Sequence, residues 1–222
     1  VNAHQPIEGL LSWYEAHVCS EEGWNMVGGL FHGSPTIFLG ANENLGWGHT
    51  TGNLDELDVY KLKMHPKKKH WYSVDGKWYK LEKDRAKLKV GLGKNKWFKI
   101  AVGKTFWNSI YGPTMENEHG FFSLRMPALM NIYPIVQWFR MNKASNFTEF
   151  KQALEIQGLS RQNITYADKN DTIYFISNGY IPNRANGYDW SKVVPGDTSA
   201  TLWETFLPVD SFAQFLNPEC GW

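Results

Sequence analysis

Cysteine is almost absent. Cys19 and Cys220 lie at opposite ends of a 222-residue chain and form no C-x-x-C or zinc pattern, which removes the metal and redox readings of paired cysteines. A disulfide joining the ends and two separate thiols both fit this spacing. No apolar run approaches the roughly 20 residues a helix needs to cross a bilayer. No signal peptide is visible, although Val1 does not look like a natural start and a leader could have been removed. The sequence also has no Walker loop, G-x-S-x-G elbow or H-E-x-x-H motif. These absences exclude the commonest phosphate, hydrolase-elbow and zinc-protease chemistries.

Aromatic side chains are abundant, with 11 Trp, 10 Tyr and 13 Phe in a composition that is 42% hydrophobic. Such a chain buries a real core and is not disordered, and its length suits one large domain or part of something larger. The net charge of +1 hides an asymmetry: between Lys61 and Lys104 there are 15 Lys/Arg against 3 Asp/Glu, a local +12, which leaves −11 for the remainder. A basic block can attract nucleic acid or anionic lipid. Here the lysines alternate with Trp, Tyr, Leu and Val, the pattern of the solvent face of an antiparallel sheet.

The chain is read as strands first and helices late. Period-2 alternation marks Leu11–Cys19, and glycine and proline punctuation separates short strands over Trp24–Leu30, Thr36–Gly40 and Gly46–Thr51. A meander follows: Val59–Met64, His70–Ser73, a hairpin at Asp75-Gly76 into Lys77–Leu81, then Lys87–Val90 and Trp97–Val102, with Gly112-Pro113 expected to end it. Tyr133–Asn142 reads as a helix with Pro134 in its first turn. Asn146 followed by Glu149 caps a second helix that is expected to run to about Gln157, where Gly158 ends it. A hairpin then joins Asn163–Ala167 to Thr172–Ser177, and beyond Pro182 the chain is loop-rich. The fold class is α+β, a largely antiparallel sheet with helices inserted late.

The stretch Leu45–Tyr60, LGWGHTTGNLDELDVY, holds the densest signal. Its glycines permit close backbone approach, and Asp55 and Asp58, with the Leu57 carbonyl between them, are oxygen donors spaced to share a calcium ion or to form an acidic loop without one. His4 sits in a polar turn, as a base, an orienter or a structural side chain. Asn163 is a polar residue inside an apolar strand, either a structural hydrogen-bonder or an aimed donor. Arg184 is a surface residue or a carboxylate anchor. Three sequons, at Asn146, Asn163 and Asn170, arise easily by chance, and Asn163 is too strand-like to carry a glycan.

Together these pieces resemble the penicillin acylase family of N-terminal-nucleophile hydrolases, which includes penicillin, cephalosporin and acyl-homoserine-lactone acylases. The resemblance begins at Asn2-Ala-His4-Gln-Pro6 and continues through Trp13-Tyr-Glu15, Gly28-Gly29 and Gly33-Ser-Pro35. It is strongest at Leu45-Gly-Trp-Gly-His-Thr-Thr51 with Asp55-x-x-Asp58-Val-Tyr60. It resumes at Gln162-Asn163-Ile-Thr-Tyr-Ala-Asp168, Gly179, Pro182-Asn-Arg184 and Asn217-Pro218. Order and spacing match over nearly the whole chain, with the lysine-rich middle only loosely similar.

The resemblance implies part of an αββα sandwich and an acylase that matures by cutting its own precursor. A serine exposed at the start of the large β subunit attacks an amide carbonyl, with its own α-amine as base. In that scheme His4 orients the nucleophile, Thr51 supplies a backbone N–H to the oxyanion, and Asn163 supplies the side-chain donor. Arg184 supports the α-amine and the asparagine. Asp55, the Leu57 carbonyl and Asp58 belong to a structural calcium site that takes a further ligand from the α subunit. No organic cofactor is implied.

The family's serine lies upstream of His4, and no residue here is placed to replace it. The expectation is therefore an internal fragment of a β subunit, one piece over 1–222 with a basic meander at 61–104 and a helical insertion at 133–157, and inactive alone. Its partners would be the α subunit, the remainder of the β subunit and a small acyl-amide substrate, with no nucleic acid and no membrane, in the periplasm or secreted. The rival readings are a non-catalytic β-rich module binding glycan or polyanion through its lysines, and a degenerate relative that keeps the fold without the chemistry.

Overall fold

The computed structural model describes residues 5–9, 11–92 and 98–221. His4, most of the strand end expected over Val1–Pro6, and Trp97 lie outside the described residues. Four strands come first: β1 (Trp13–Ser20), β2 (Trp24–Phe31), β3 (Leu39–Ala41) and β4 (Leu45–Thr51). A meander follows as β5 (Asp58–Met64), β6 (Trp71–Val74), β7 (Lys77–Lys80), β8 (Glu82–Leu92), β9 (Phe98–Ser109), β10 (Gly112–Asn117) and β11 (Gly120–Arg125). Helices α1 (Tyr133–Lys143) and α2 (Phe147–Leu154) lead into β12 (Gln162–Asp168) and β13 (Ile173–Asn178), then the short β14 (Val194–Gly196) and β15 (Gln214–Leu216). Antiparallel strands dominate and helices are few, so the architecture is α+β. No described helix is long and apolar enough to cross a membrane.

The chain divides into two compact units. The first comprises Val1–Glu56, Pro127–Pro182 and Thr205–Trp222; the second comprises Leu57–Met126 and Asn183–Glu204. In the first, seven strands form an antiparallel sheet in the order β1-β2-β3-β4-β12-β13-β15. Alternation sets its two faces: Trp47, Ile164 and Tyr166 are buried with Phe150 of α2 (ring centroids 5.6 Å to Trp47 and 4.6 Å to Tyr166), which turns Asn163 and Thr165 to the opposite face. Gly28 is needed where β2 meets β3, since a Cβ there would fall 2.0 Å from the Leu39 carbonyl oxygen.

The helix starts follow the sequence rules and one end does not. Pro134 occupies the first turn of α1. The Asn146 side chain accepts from Glu149 N at 3.0 Å, while the Glu149 carboxylate accepts from Ser145 N at 2.8 Å, so two end donors are satisfied reciprocally. Helix α2 stops at Leu154, short of the expected Gln157. Gln157 takes a φ of +50° and donates to the Leu154 carbonyl, so a turn replaces the last helical residues.

In the second unit the order is β7-β6-β5-β11-β10-β9-β8, with β14 parallel to β5. Asp75 and Gly76 form the expected hairpin turn, both with positive φ (49° and 77°). Gly112-Pro113 does not end the meander; it opens β10, which pairs back onto β9 through Gly112↔Ser109 and Pro113↔Asn108. Gly112 has a φ of +128° and a Cβ there would lie 2.3 Å from the Leu124 carbonyl oxygen, so the glycine turns a corner between strands. Strands β8 and β9 are longer than expected. Their lysine face is exposed, and so is the opposite face: Leu88 is 65% and Val102 48% exposed within the described residues.

Cys19 and Cys220 are both exposed.

Candidate active site

Thr51 and Asn163 come together on adjacent strands of the first unit. Strand β4 pairs with β12 in the register Thr51↔Gln162 and Thr50↔Asn163, and Gly52 N donates to the Arg161 carbonyl just beyond it. Hydrogen-bonded and non-bonded pairs alternate in an antiparallel ladder. Gly52–Arg161 is a bonded pair, so Thr50–Asn163 is the next one and the Thr51 N–H between them turns away from β12. On that other edge β3 pairs only as far as Gly40↔Trp47. The Thr51 peptide N–H is thus directed at an edge of β4 with which no described strand pairs at this position.

The Asn163 amide is oriented by its cross-strand neighbour. Ser177 on β13 lies opposite it and donates from its hydroxyl to Asn163 Oδ1 at 3.1 Å. That bond assigns the oxygen and leaves the NH₂ as the donating end. Gly52 passes close by: a Cβ there would sit 3.4 Å from Asn163 Oδ1 and 3.3 Å from the Arg161 carbonyl oxygen. Glycine at this position keeps the peptide after Thr51 against the asparagine.

Beside Thr51 lies a cavity of about 80 Å³ lined by Trp13, Phe31, Phe38, His49 and Trp138 together with Thr50, Thr51, Gln162 and Gln5. Its walls are a chain of ring contacts: Trp13 stacks on Phe31 at 4.5 Å, Phe31 meets Phe38 edge-on at 5.3 Å, and Phe38 stacks on Trp138 of α1 at 3.9 Å. Burial lowers the His49 imidazole below its usual range, against the pull of backbone groups of Phe38 and of His49 itself, so the ring is neutral at physiological pH. Wider hollows of about 570 Å³ along α1 and α2, and about 700 Å³ beside β13 and β15, contain none of the expected site residues.

Glu56 is the one buried carboxylate among the described residues of this unit and was not singled out by sequence. It is 1% exposed and accepts from Arg161 N at 3.0 Å, from Tyr180 N at 2.7 Å and from the Ser160 hydroxyl. Desolvation pushes its carboxyl above the usual carboxylate range, opposed by the two backbone N–H groups and by the Arg161 charge. Its acidic neighbours drew the sequence reading to a cation loop and away from the middle acid. Ser177 was missed as well: a turn over Asp168–Asp171 would set Ile176 opposite Asn163, and the observed register, with Ala167 opposite Ile173, moves the partner by one residue to Ser177.

In the second unit Asp58 opens β5 and is 1% exposed. Its Oδ2 accepts from Arg184 Nε at 2.9 Å and from the Trp203 indole at 2.7 Å, and the Arg184 guanidinium lies 5.7 Å from the Trp190 ring centroid. Arg184 is therefore committed through Nε to a carboxylate, an anchoring role the sequence left open. Exposure alternates along the acidic step, with Asp55 and Leu57 exposed and Glu56 and Asp58 buried. No group of three or more His, Cys, Asp or Glu side chains among the described residues is arranged to hold a metal. Carboxylate and carbonyl oxygens are nonetheless the donor type that calcium prefers, and it needs six to eight of them.

Known proteins are similar to this chain. Penicillin G acylase of Escherichia coli is 26% identical over 204 residues, covering 90% of this chain and 23% of that protein. The acyl-homoserine lactone acylase PvdQ of Pseudomonas fluorescens is 27% identical over 191 residues, covering 82% and 24%. The structure of a thermostable penicillin G acylase from Alcaligenes faecalis superposes with a TM-score of 0.80 at 25% identity, covering 94% of this chain and 37% of that one. The chain thus spans about a quarter of the length of these curated relatives. A family model described as penicillin amidase matches residues 1–222 in full, and the chain belongs to that family.

Proposed function

We propose that this chain forms the oxyanion-binding and acyl-binding side of an acylase, an enzyme that cleaves linear acyl amides through a covalent acyl-enzyme. The observation that carries the reading is the Thr51 N–H at the end of β4, beside an aromatic cavity, with the Ser177-oriented Asn163 amide on the other face of the neighbouring strand. The nucleophile in this reading is an N-terminal serine. Its hydroxyl adds to the amide carbonyl while its proton passes to the serine's own α-amine. Negative charge gathers on the carbonyl oxygen, where Thr51 N–H and Asn163 Nδ2–H stabilise it. Collapse breaks the C–N bond, and the leaving amine takes the proton. Water then attacks the acyl ester and releases the acid.

His4 is proposed to orient the serine, and Arg184 to support the α-amine and Asn163 while its Nε holds Asp58. Trp13, Phe31, Phe38 and Trp138 would surround the acyl group, which favours an apolar one. Calcium at Asp55, the Leu57 carbonyl and Asp58 belongs to the same proposal, supported by their oxygen donors and spacing, with the remaining ligands drawn from outside the chain. When bound, it would brace the loop that follows Thr51. The α subunit and the rest of the β subunit are the proposed partners, in the periplasm or secreted.

The test is amine release from phenylacetyl and longer acyl amides by the intact, processed protein. Turnover that disappears when the serine hydroxyl is removed supports the reading. A processed protein that carries the serine and cleaves no acyl amide supports the degenerate alternative. The exposed lysine face of β8 and β9 favours a second activity, polyanion binding. Salt-sensitive retention on heparin, without acylase activity, would establish that reading instead.

A further inference from the structure

Thr51 and Asn163 both sit where a strand ladder runs out. Beyond the Gly52–Arg161 bond, β4 and β12 no longer pair, and β13 ends at Asn178. The ladder pairs Thr51 with Gln162 and Thr50 with Asn163, but past the Gly52–Arg161 bond it no longer holds the three chain ends together.

One carboxylate reaches all three. Glu56 lies five residues after Thr51 and is fully buried. Its Oε1 accepts from Arg161 N, two residues before Asn163, and from Tyr180 N, three residues after the Ser177 that orients the Asn163 amide. Its Oε2 accepts from the Ser160 hydroxyl. Arg161 in turn takes the Gly52 N–H through its carbonyl, so the same two residues connect back to the peptide following Thr51. The surroundings are shaped for this acid: a Cβ on Gly179 would lie 3.0 Å from Glu56 Oε1. Three donors on one desolvated carboxylate make a rigid tie, since ion-assisted hydrogen bonds are roughly twice as strong as neutral ones.

We propose that Glu56 is a positioning residue for the oxyanion hole, holding the Thr51 peptide and the Asn163 amide at the separation that receives a developing oxyanion. The inference rests on the acylase reading above. It assigns Glu56 no contact with substrate and no proton transfer. A shift of about 1 Å in such a site costs on the order of 100-fold in rate, so the tie matters in the transition state and little in substrate binding.

The experiment measures kcat and KM separately in the intact, processed enzyme. Glu56→Ala should lower kcat about 10- to 100-fold with KM within about twofold. Glu56→Gln keeps an amide oxygen for Arg161 N and Tyr180 N and should restore kcat to within about threefold. Glu56→Ala with wild-type kcat, or with kcat and KM deteriorating together in both variants, overturns the proposal. Should Glu56→Ala not fold, Ser160→Ala decides the matter by removing a single bond: a kcat loss of about threefold at unchanged KM supports it, and unchanged kcat overturns it. An intact enzyme that hydrolyses no acyl amide fails the acylase reading as well. One that loses activity in Asn163→Ala but not in Glu56→Ala or Ser160→Ala fails this inference alone.

Discussion

The Ser177–Asn163 hydrogen bond makes the oxyanion assignment quantitative. In the proposed acylase reading, truncating Asn163 to Ala would remove one of two donors to the developing charge, and in a preorganised site such a loss costs about 10²–10³ in kcat. Ser177→Ala leaves the donor in place but releases the amide oxygen that the hydroxyl holds at 3.1 Å. One neutral hydrogen bond contributes about 0.5–1.5 kcal/mol, which converts to a kcat loss of about 2- to 12-fold. Asn163→Asp should be worse than Asn163→Ala, because an acceptor-only carboxylate then faces the nascent oxyanion. The sharpest case is the double variant: once Asn163 is Ala, removing the Ser177 hydroxyl has nothing left to orient, so the two losses should not multiply. Initial rates on a chromogenic acyl anilide, with the intact enzyme, measure all four. A loss under fivefold in Asn163→Ala, or fully multiplicative losses in the double variant, would refute the assignment.

Three further outcomes are expected of the intact protein. Asp58→Asn removes the buried charge that Arg184 Nε contacts at 2.9 Å and should cost about 3–5 kcal/mol in the unit containing it, read as a lower urea midpoint; an unchanged midpoint would show that the pair contributes little. His49 has a folded pKa below the 6.5 of the unfolded chain, so the unfolded state takes up the proton first as pH falls. Its contribution is present above about pH 6.5 and lost below it, and His49→Phe should flatten the fall in melting temperature between about pH 6.5 and 5. Identical slopes in both proteins would be inconsistent with a buried neutral ring. Trp138→Ala enlarges the cavity beside Thr51 and should shift kcat/KM toward longer acyl chains relative to phenylacetyl; an unaltered ratio would place the acyl group elsewhere.

Much of the first unit was legible because its signals are local. Period-2 alternation marks β4, β12 and β13, the Asn146–Glu149 cap starts α2, and the Asp168–Asp171 turn joins β12 to β13, although the pairing of Ser177 with Asn163 is one residue away from the register that turn implies. Glu56 was not legible, since its partners Ser160, Arg161 and Tyr180 lie far along the chain and carry no pattern pointing back to it. Arg184 could be read as a carboxylate anchor, but not as Asp58's, because sequence does not say which acid a fold will bury beside it. The Gly112-Pro113 corner misled for a physical reason: the same pair that terminates an isolated strand can also turn one strand into the next. The lysine ribbon was read by its charged face, and its exposed apolar face became visible only with the register of β8 and β9.

The Glu56–Arg161 bond joins positions 105 residues apart. Closing a loop of that length costs on the order of 4 kcal/mol of chain entropy before any contact compensates for it. Pairings this distant form late and slowly. During synthesis, therefore, the half-site cannot assemble until the whole meander has been made and β12 has followed it. The order of residues along the chain delays the joining of the Thr51 and Asn163 strand ends until the surrounding sheet exists to hold them.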